Sequence, residues 1–194
     1  MQPIREIIFD TETTGLDPQT GDKLVEMGCI ELVNRIPTGN SYHAYYNPQR
    51  DMPMEAEQVH GLSAAFLSDK PLFSDLTGEL LDFIGDSPLV AHNAQFDFGF
   101  LNFELAACGL AEVSLDRMID TLAIARRRHP GAKHTLDALC DRLGVRIEER
   151  LRHTALGDAV ATGEVLCKLI PMLEARGLDT LGKVLEESRK HGRL

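Results

Sequence analysis

The segment Ile7-Ile8-Phe9-Asp10-Thr11-Glu12 constrains the fold of this chain more than any other part of its sequence. It is an apolar run typical of a buried strand, and it ends in two carboxylates two residues apart. Side chains at positions i and i+2 of a strand project from the same face, so Asp10 and Glu12 should point into one small volume. Like charges held together repel each other unless a cation lies between them, and paired oxygen ligands suit Mg²⁺ or Mn²⁺. The alternative is a strand tip with two solvated acids, which the short Asp-x-Glu spacing alone favours.

Length and composition are those of a single globular domain. The chain has 194 residues, of which 43% are hydrophobic and 26% charged. Its formal net charge of −10 disfavours a wrap around duplex nucleic acid, although it leaves open a short contact mediated by metal ions. The four cysteines form no Cys-x-x-Cys pair, so neither a zinc site nor a disulfide scaffold is indicated. No signal peptide or membrane-spanning run is found, so we expect a cytoplasmic location and no membrane partner.

The order of predicted elements indicates a mixed sheet flanked by helices. Three strands come first, joined by short turns as an antiparallel meander; they are expected at 4–12, 23–34 and 41–47. Helices then alternate with two short strands, expected at 88–91 and 117–119. The predicted helices cover about 73–84, a segment from an Asn93 N-cap to Cys108, a segment ending at Arg128 before Pro130-Gly131, and the ranges 135–143 and 155–170.

Two further carboxylates and a histidine occur in contexts that suit a site. Asp97 follows the strand that ends in His92-Asn93 and lies near the first turn of the next helix, where the helix dipole alone accounts for an acid. Asp158 lies within the last long helix among small apolar residues, and an unpaired buried Asp is costly. His153 should lie in the loop or first turn before that helix, able to lean over the same site. Taken singly, His153 is more simply a surface histidine.

Together these segments resemble the signature blocks of the DEDD exonucleases, in the branch that contains a histidine (DEDDh, or DnaQ-like). Asp10 and Glu12 resemble the first block, Asp97 within His92-Asn93-Ala94-Gln95-Phe96-Asp97 the second, and His153 with Asp158 the third. The order and the intervals agree, and the similarity covers about residues 4–170. The resemblance implies a ribonuclease-H-like α/β fold with a five-stranded mixed sheet flanked by helices.

The resemblance also implies roles for these residues in hydrolysis of a phosphodiester by two divalent ions, Mg²⁺ or Mn²⁺. By position, Asp10, Glu12 and Asp158 resemble the ligands of the first ion, with Asp10 bridging to the second. Asp97 would act on the second ion largely through water. His153 would take the proton from the attacking water, a role that suits imidazole because an unperturbed histidine titrates near pH 6.5.

Contacts to the terminal nucleotide are implied by the same resemblance. Thr13, Leu16, Glu55, His60 and Phe96 occupy the positions that hold this nucleotide in the family. The alternatives are turn chemistry for Thr13, core packing for Leu16 and Phe96, and ordinary surface for Glu55 and His60. The basic island Arg126-Arg127-Arg128, with Lys133 and His134 nearby, either complements a helix dipole or contacts a phosphate.

Details outside the catalytic blocks resemble the proofreading epsilon subunits of bacterial DNA polymerase III. These are Val33-Asn34-Arg35, Thr38-Gly39-Asn40, Val59-His60-Gly61 and Thr135-Leu136-Asp137-Ala138-Leu139-Cys140. The resemblance implies a DNA 3′ end as substrate and the polymerase III alpha subunit as partner. Epsilon subunits usually continue into a linker and a polymerase-binding segment, which is not evident here. We therefore expect an exonuclease domain over 1–172 and a short charged tail over 173–194.

Two other functions are compatible with this sequence. One is a DEDDh exonuclease that trims RNA or short oligonucleotides, because the catalytic blocks do not specify the sugar. The other is a non-catalytic nucleic-acid-binding module that uses the fold as a scaffold. Loss of a ligand would favour the module, and all four carboxylates are present. The leading prediction is a metal-dependent 3′→5′ exonuclease acting on DNA ends.

Overall fold

A five-stranded mixed sheet forms the centre of the computed structural model, which describes residues 3–146, 153–174, 183–184 and 186. The strands in this part of the chain are β1 Arg5–Thr13, β2 Leu24–Val33, β3 Ile36–Tyr45, β4 Leu89–Ala91 and β5 Met118–Asp120. The helices are α1 Met54–His60, α2 Ala64–Leu67, α3 Phe73–Ile84, α4 Ala94–Ala107, α5 Thr121–Arg128, α6 Leu136–Leu143 and α7 Ala155–Glu174. None of these helices combines the length and the apolar character needed to cross a lipid bilayer.

The sheet has the strand order β3-β2-β1-β4-β5. Strands β1, β2 and β3 pair antiparallel, as the short connections between them predict, whereas β4 and β5 run parallel to β1. The carboxyl ends of β1, β4 and β5 therefore meet at one edge of the sheet, which is where open α/β sheets place their ligands. The mixed sheet expected from the sequence is confirmed.

Side-chain alternation along β1 divides the core into two layers. Ile7 and Phe9 pack with α3 and α4 on one face, and Ile8 packs with α5, α6 and α7 on the other. By the same alternation Asp10 and Glu12 share the face of Ile8, on the side of α7. Thr11 shares the face of Phe9, on the side of α4. The alternation of side chains along β1 thus decides whether a polar residue at its end faces α4 or α7.

The structure differs from the predicted elements in three places. Strand β3 begins at Ile36 instead of 41, and its first half is exposed at the edge of the sheet, so no buried alternation marks it. Helices α1 and α2 were not predicted, because each is short and mostly exposed and so lacks an apolar stripe. Helix α7 continues through Pro171 to Glu174, past the expected end at 170, although proline usually ends a helix. Most of the expected tail 173–194 lies outside the described residues.

Candidate active site

Three carboxylates converge where β1 ends beneath the start of α7. Asp10, Glu12 and Asp158 each offer one ligand oxygen, and these atoms all lie within 4.8 Å of one another. Asp10 and Glu12 come from one face of β1, and Asp158 lies in the first turn of α7. All three are partly buried. A strand face and a helix N-terminus that are remote in sequence therefore form one acidic group.

A glycine allows the helix to approach the strand this closely. Gly28 of β2 is the register partner of Asp10, and the start of α7 lies directly on it. A Cβ built on Gly28 would stand within 2.4 Å of the Cα of Leu156, nearer than real Cβ contacts allow. Only a residue without a side chain permits this contact. Gly28 thus sets the height of Asp158 above Asp10.

The acidic group is electrostatically unfavourable without a cation. Burial, followed by the charges of Asp97, Glu12 and Asp158, raises the pKa of Asp10 well above its ordinary value. Burial and the neighbouring acids also raise the pKa of Glu12 to about 8. Burial raises the pKa of Asp158 to about 6, against the opposing effect of the nearby His153. Carboxylates that resist ionisation together are typical of a metal or catalytic site.

Asp97 is held from the opposite face of β1. It lies in the first turn of α4, is 3% exposed, and accepts hydrogen bonds from the Thr11 hydroxyl at 2.7 Å and the Thr11 backbone N–H at 3.1 Å. Burial raises the pKa of Asp97 to about 7, although the bonds from Thr11 act in the other direction. Asp97 adjoins the group of three carboxylates without belonging to it, since its charge reaches Asp10 from across the strand.

His153 lies in the loop immediately before α7, as its sequence position predicts. Its side chain is exposed and its backbone is left-handed, with φ of 58°. A non-glycine residue adopts this conformation at an energetic cost, and such residues cluster at functional sites. The backbone N–H of His153 donates to the Asp158 carboxylate, and its charge lowers the pKa of that group. The imidazole is therefore carried next to the acidic group and remains open to solvent.

A cavity of about 560 Å³ opens beside Glu12. Its lining includes all five residues that the family resemblance places at the terminal nucleotide: Thr13, Leu16, Glu55, His60 and Phe96. Leu16 comes from the turn after β1 and Phe96 from the first turn of α4, whereas Glu55 and His60 come from the unpredicted helix α1. The cavity is thus completed by an element that the sequence pattern did not indicate.

The environments of these five residues test the alternatives to nucleotide contact, which were turn chemistry, core packing and ordinary surface. Leu16 is 84% exposed, so core packing does not explain it, whereas Phe96 does pack on Phe100 with ring centroids 5.0 Å apart. His60 is buried, not on the surface, and burial lowers its pKa. Glu55 is exposed on α1. The Thr13 hydroxyl donates to the Gly15 carbonyl at 2.6 Å, as turn chemistry predicts.

The position of the loop before α4 depends on Asp120, a residue that the sequence analysis does not predict as part of the site. Asp120, at the end of β5, accepts hydrogen bonds from the backbone N–H groups of Asn93 and Leu122 at 3.0 and 2.9 Å. Asn93 precedes α4 as expected, but its side chain makes no capping bond. Asp120 therefore fixes the loop that presents α4 and Asp97. The sequence signal that could have identified Asp120 is its position as a charged residue at the end of a short buried strand.

The basic island lies at the end of α5, as predicted. Arg126 and His134 line a cavity of about 490 Å³ together with His92 and Asn93, which follow β4. Arg126, Arg127 and Arg128 form the last turn of the helix, where cations complement the dipole. Both predicted roles, dipole partner and phosphate contact, are compatible with this placement.

The chemistry of the acidic group suits hard divalent ions. Its donors are carboxylate oxygens close enough to share an ion, and their raised pKa values show that bound cations would relieve repulsion. No soft sulfur ligand belongs to the group, and the described cysteines Cys29, Cys108, Cys140 and Cys167 are free. The residues present therefore fit the divalent ions that the resemblance implies.

Comparisons with known proteins agree with this geometry. The sequence profile of the RNase_T family, described as "Exonuclease", matches residues 7–166. The "DNA polymerase III subunit epsilon" of Rickettsia felis is 51% identical over 172 residues, which is 87% of this chain and 75% of that protein. Exonuclease X, solved in complex with 5′ overhanging duplex DNA, has a TM-score of 0.71 and 27% identity, covering 95% of this chain and 99% of that one.

A more distant structure shows the same fold. The nuclease domain of 3′hExo, a DEDDh family member bound to rAMP, has a TM-score of 0.75 at 14% identity, covering 88% of this chain and 93% of that one. The profile match extends over most of this chain, from β1 into α7, and so includes every carboxylate of the site. The chain therefore belongs to the exonuclease family, and its relatives within that family include the epsilon subunits of DNA polymerase III.

Proposed function

We propose that this protein is a metal-dependent 3′→5′ exonuclease that releases nucleoside monophosphates from DNA 3′ ends in proofreading. One observation carries the proposal: three mutually repelling carboxylates lie beside a cavity of about 560 Å³, in a chain of the exonuclease family. A cavity of that size accommodates one nucleotide. The acidic group beside it is suited to binding cations at the bond that joins this nucleotide to the strand.

Asp10, Glu12 and Asp158 would hold one divalent ion, Asp10 would be shared with a second, and Asp97 would reach the second through water. When bound, the ions would supply positive charge for an in-line displacement at phosphorus. We assign Mg²⁺ or Mn²⁺ because both accept carboxylate and water oxygens.

His153 would remove the proton from the water that attacks the terminal phosphodiester. The new bond joins the water oxygen to phosphorus, and the bond from phosphorus to the 3′-oxygen of the shortened strand breaks. That 3′-oxygen takes a proton from solvent water and leaves as a hydroxyl, the proton on His153 returns to solvent, and the released nucleotide keeps a 5′-phosphate. The exposed imidazole next to Asp158 suits this role, because a base must exchange protons with solvent between turnovers.

The cavity would hold the terminal nucleotide without reading its base. Leu16 and Phe96 offer apolar surface, and stacking or packing on a base tolerates all four bases. Glu55 and His60 would contact the sugar. Burial keeps His60 neutral near pH 7 by lowering its pKa, so it would act through hydrogen bonding and not as a cation. Thr13 would position the strand backbone at the mouth of the cavity.

DNA is favoured over RNA as substrate. The relative at 51% identity is named as a subunit of DNA polymerase III, whereas the DEDDh structure bound to rAMP is only 14% identical. The same name supports the polymerase III alpha subunit as partner and a cytoplasmic location, where a bacterial replicative polymerase meets its DNA. An RNA-trimming exonuclease is the alternative that a substrate comparison must exclude.

A primer-template with a mispaired 3′ end tests the proposal. We expect faster removal of the mispaired nucleotide than of a paired one with Mg²⁺ or Mn²⁺, and no removal in EDTA. The variant Asp10→Ala should be inactive and should show little of the rise in melting temperature that divalent ions give the wild type. A matched RNA strand should be degraded more slowly than the DNA strand. Equal or faster cleavage of RNA would reassign the protein to the alternative.

A further inference from the structure

Glu26 of β2 is a buried carboxylate next to the acidic group that no role above uses. It is the register partner of Glu12 across the β1–β2 ladder, so its side chain lies on the face that carries Asp10 and Glu12. The side chain is 0% exposed. Its Oε1 atom lies 2.7 Å from Nε2 of His43 on β3. Glu26 therefore lies between Glu12 on β1 and His43 on the edge strand β3, and His43 holds its carboxylate in place.

The second oxygen of Glu26 lacks a donor. Oε2 is buried and has no hydrogen-bond partner among the described residues. Burial, the charge of Glu26 and a side-chain hydrogen bond with Glu26 raise the pKa of Tyr45, yet no described donor meets hydrogen-bond geometry at Oε2. A buried acceptor without a partner destabilises the folded state, and more so when it is charged. A donor from outside the protein chain would remove this cost.

The surroundings of Oε2 indicate what kind of donor from outside the chain could bind there. After burial, the charge of Glu26 is among the causes that raise the pKa of Glu12, Asp10 and Asp158, so Glu26 lies near all three carboxylates that converge. A further anion at this place opposes folding of the metal-free protein. Hydrated Mg²⁺ retains several of its waters when it binds proteins, and the hydrogens of those waters need acceptors. Acceptors beyond the direct ligands are a regular part of metal sites.

We propose that Glu26, held by His43, is a fifth carboxylate of the metal site and accepts a hydrogen bond from the hydration water of the bound ion. This inference depends on the metal dependence in the proposed function. Glu26 is a positioning residue in this account: it contacts neither the substrate nor the reacting atoms, and it orients water around the ion.

The chain contains a matched control. Glu6 of β1 is also 0% exposed, pairs through Oε2 with Arg35 at 2.8 Å, and has a buried Oε1 without a partner. It lies on the same face of β1 as Asp10 but four residues earlier, and its charge is not among the leading causes of the raised pKa values of the three carboxylates that converge. Glu6→Gln removes a buried carboxylate of the same kind away from the site.

Direct measurement of Mn²⁺ binding, by calorimetry and by the melting temperature with and without the ion, tests the inference. Glu26→Gln should weaken Mn²⁺ binding about 10- to 100-fold, which is the usual effect of losing such a second-sphere partner. In EDTA the variant should melt no lower than the wild type, because it loses a repulsive charge. Glu6→Gln should bind Mn²⁺ like the wild type.

Glu26→Asp separates a hydrogen bond from a charge effect. It keeps the charge but withdraws the carboxylate by one methylene, so it should also lose most of the affinity. Wild-type affinity in Glu26→Asp or Glu26→Gln, or an equal loss in Glu6→Gln, would overturn the role of Glu26 alone. A wild type that binds no Mn²⁺ would instead contradict the proposed function.

Discussion

Thr11 and Asp97 are joined through one carboxylate oxygen, across the face of β1 that points away from Asp10. The Thr11 hydroxyl and backbone N–H both donate to Oδ1 of Asp97, at 2.7 and 3.1 Å. Asp10 and Glu12, which flank Thr11 in β1, point to the opposite face of the strand. There they belong to the acidic group on the side of α7. One strand therefore presents two carboxylates directly and orients another from α4.

Thr11→Val should impair catalysis by releasing Asp97. Valine keeps the β-branched shape but removes the hydroxyl donor from a buried carboxylate, which should cost about 1–3 kcal/mol of unfolding free energy. Turnover should fall about 10- to 100-fold, as for other partners that orient a ligand. Thr77→Val is the control, because it removes a buried hydroxyl bond to the Phe73 carbonyl within α3. A similar fall of kcat in both variants would show that Thr11 acts only through stability.

Gly28→Ala should separate α7 from the sheet. The new Cβ would lie 2.2 Å from the backbone nitrogen of Leu156, so the helix must move, at about 1–3 kcal/mol for overpacking. Displacing Asp158 by about 1 Å should lower kcat about 100-fold. Gly99→Ala on α4 has nothing within 4 Å of its Cβ and should leave activity unchanged while slightly stabilising the helix. Activity of Gly28→Ala near that of the wild type would contradict the positioning role of Gly28.

The metal-free protein should lose stability as pH rises. The pKa of Glu12 is raised to about 8 and that of Asp158 to about 6, above the 4.5 and 3.8 ordinary for these groups. The folded state therefore binds more protons than the unfolded state between these values. The resulting stability is present at low pH and is lost as pH rises through the folded-state pKa values.

Melting curves in EDTA from about pH 5 to pH 9 measure this effect. The melting temperature should fall over the range, and millimolar Mn²⁺ should suppress most of the fall because the ion binds the ionised carboxylates. A melting temperature in EDTA that rises between about pH 5 and pH 8 would contradict the assigned electrostatics.

His153→Ala should lose turnover but keep metal binding. Removing a positioned base typically costs on the order of 10²–10⁴ in rate, and four carboxylates leave little need for imidazole as a ligand of a hard ion. The rise in melting temperature with Mn²⁺ should stay close to that of the wild type. Turnover close to the wild-type value would return His153 to an ordinary surface role.

The parts of the site that depend on local periodicity could be predicted from the sequence. Asp10 and Glu12 share a face because they are two residues apart in a strand, and His153 precedes the helix that carries Asp158. Glu26 and Gly28 could not be assigned, because their neighbours are set by the register between β1 and β2 and by where α7 crosses the sheet. Such contacts join residues that are far apart in sequence, and no local pattern encodes them.

Helix α1 shows the same limit for the substrate cavity. Glu55 and His60 could be placed near the terminal nucleotide only through the family resemblance, because their seven-residue helix is too short and exposed for an apolar stripe. His60 is buried and forms a hydrogen bond with the backbone of Thr13 at the end of β1, which is remote in sequence. The spacing of Asp10 and Glu12 is local information, and the shape of the cavity is not.

Digestion of a 5′-labelled single-stranded DNA with Mg²⁺ tests the central claim most directly, with circular single-stranded DNA and EDTA as controls. The account predicts a descending ladder of labelled strands, mononucleotides as the released product, an intact circle and no reaction in EDTA. Cleavage of the circle, or a ladder that persists in EDTA, would contradict a metal-dependent exonuclease acting from 3′ ends.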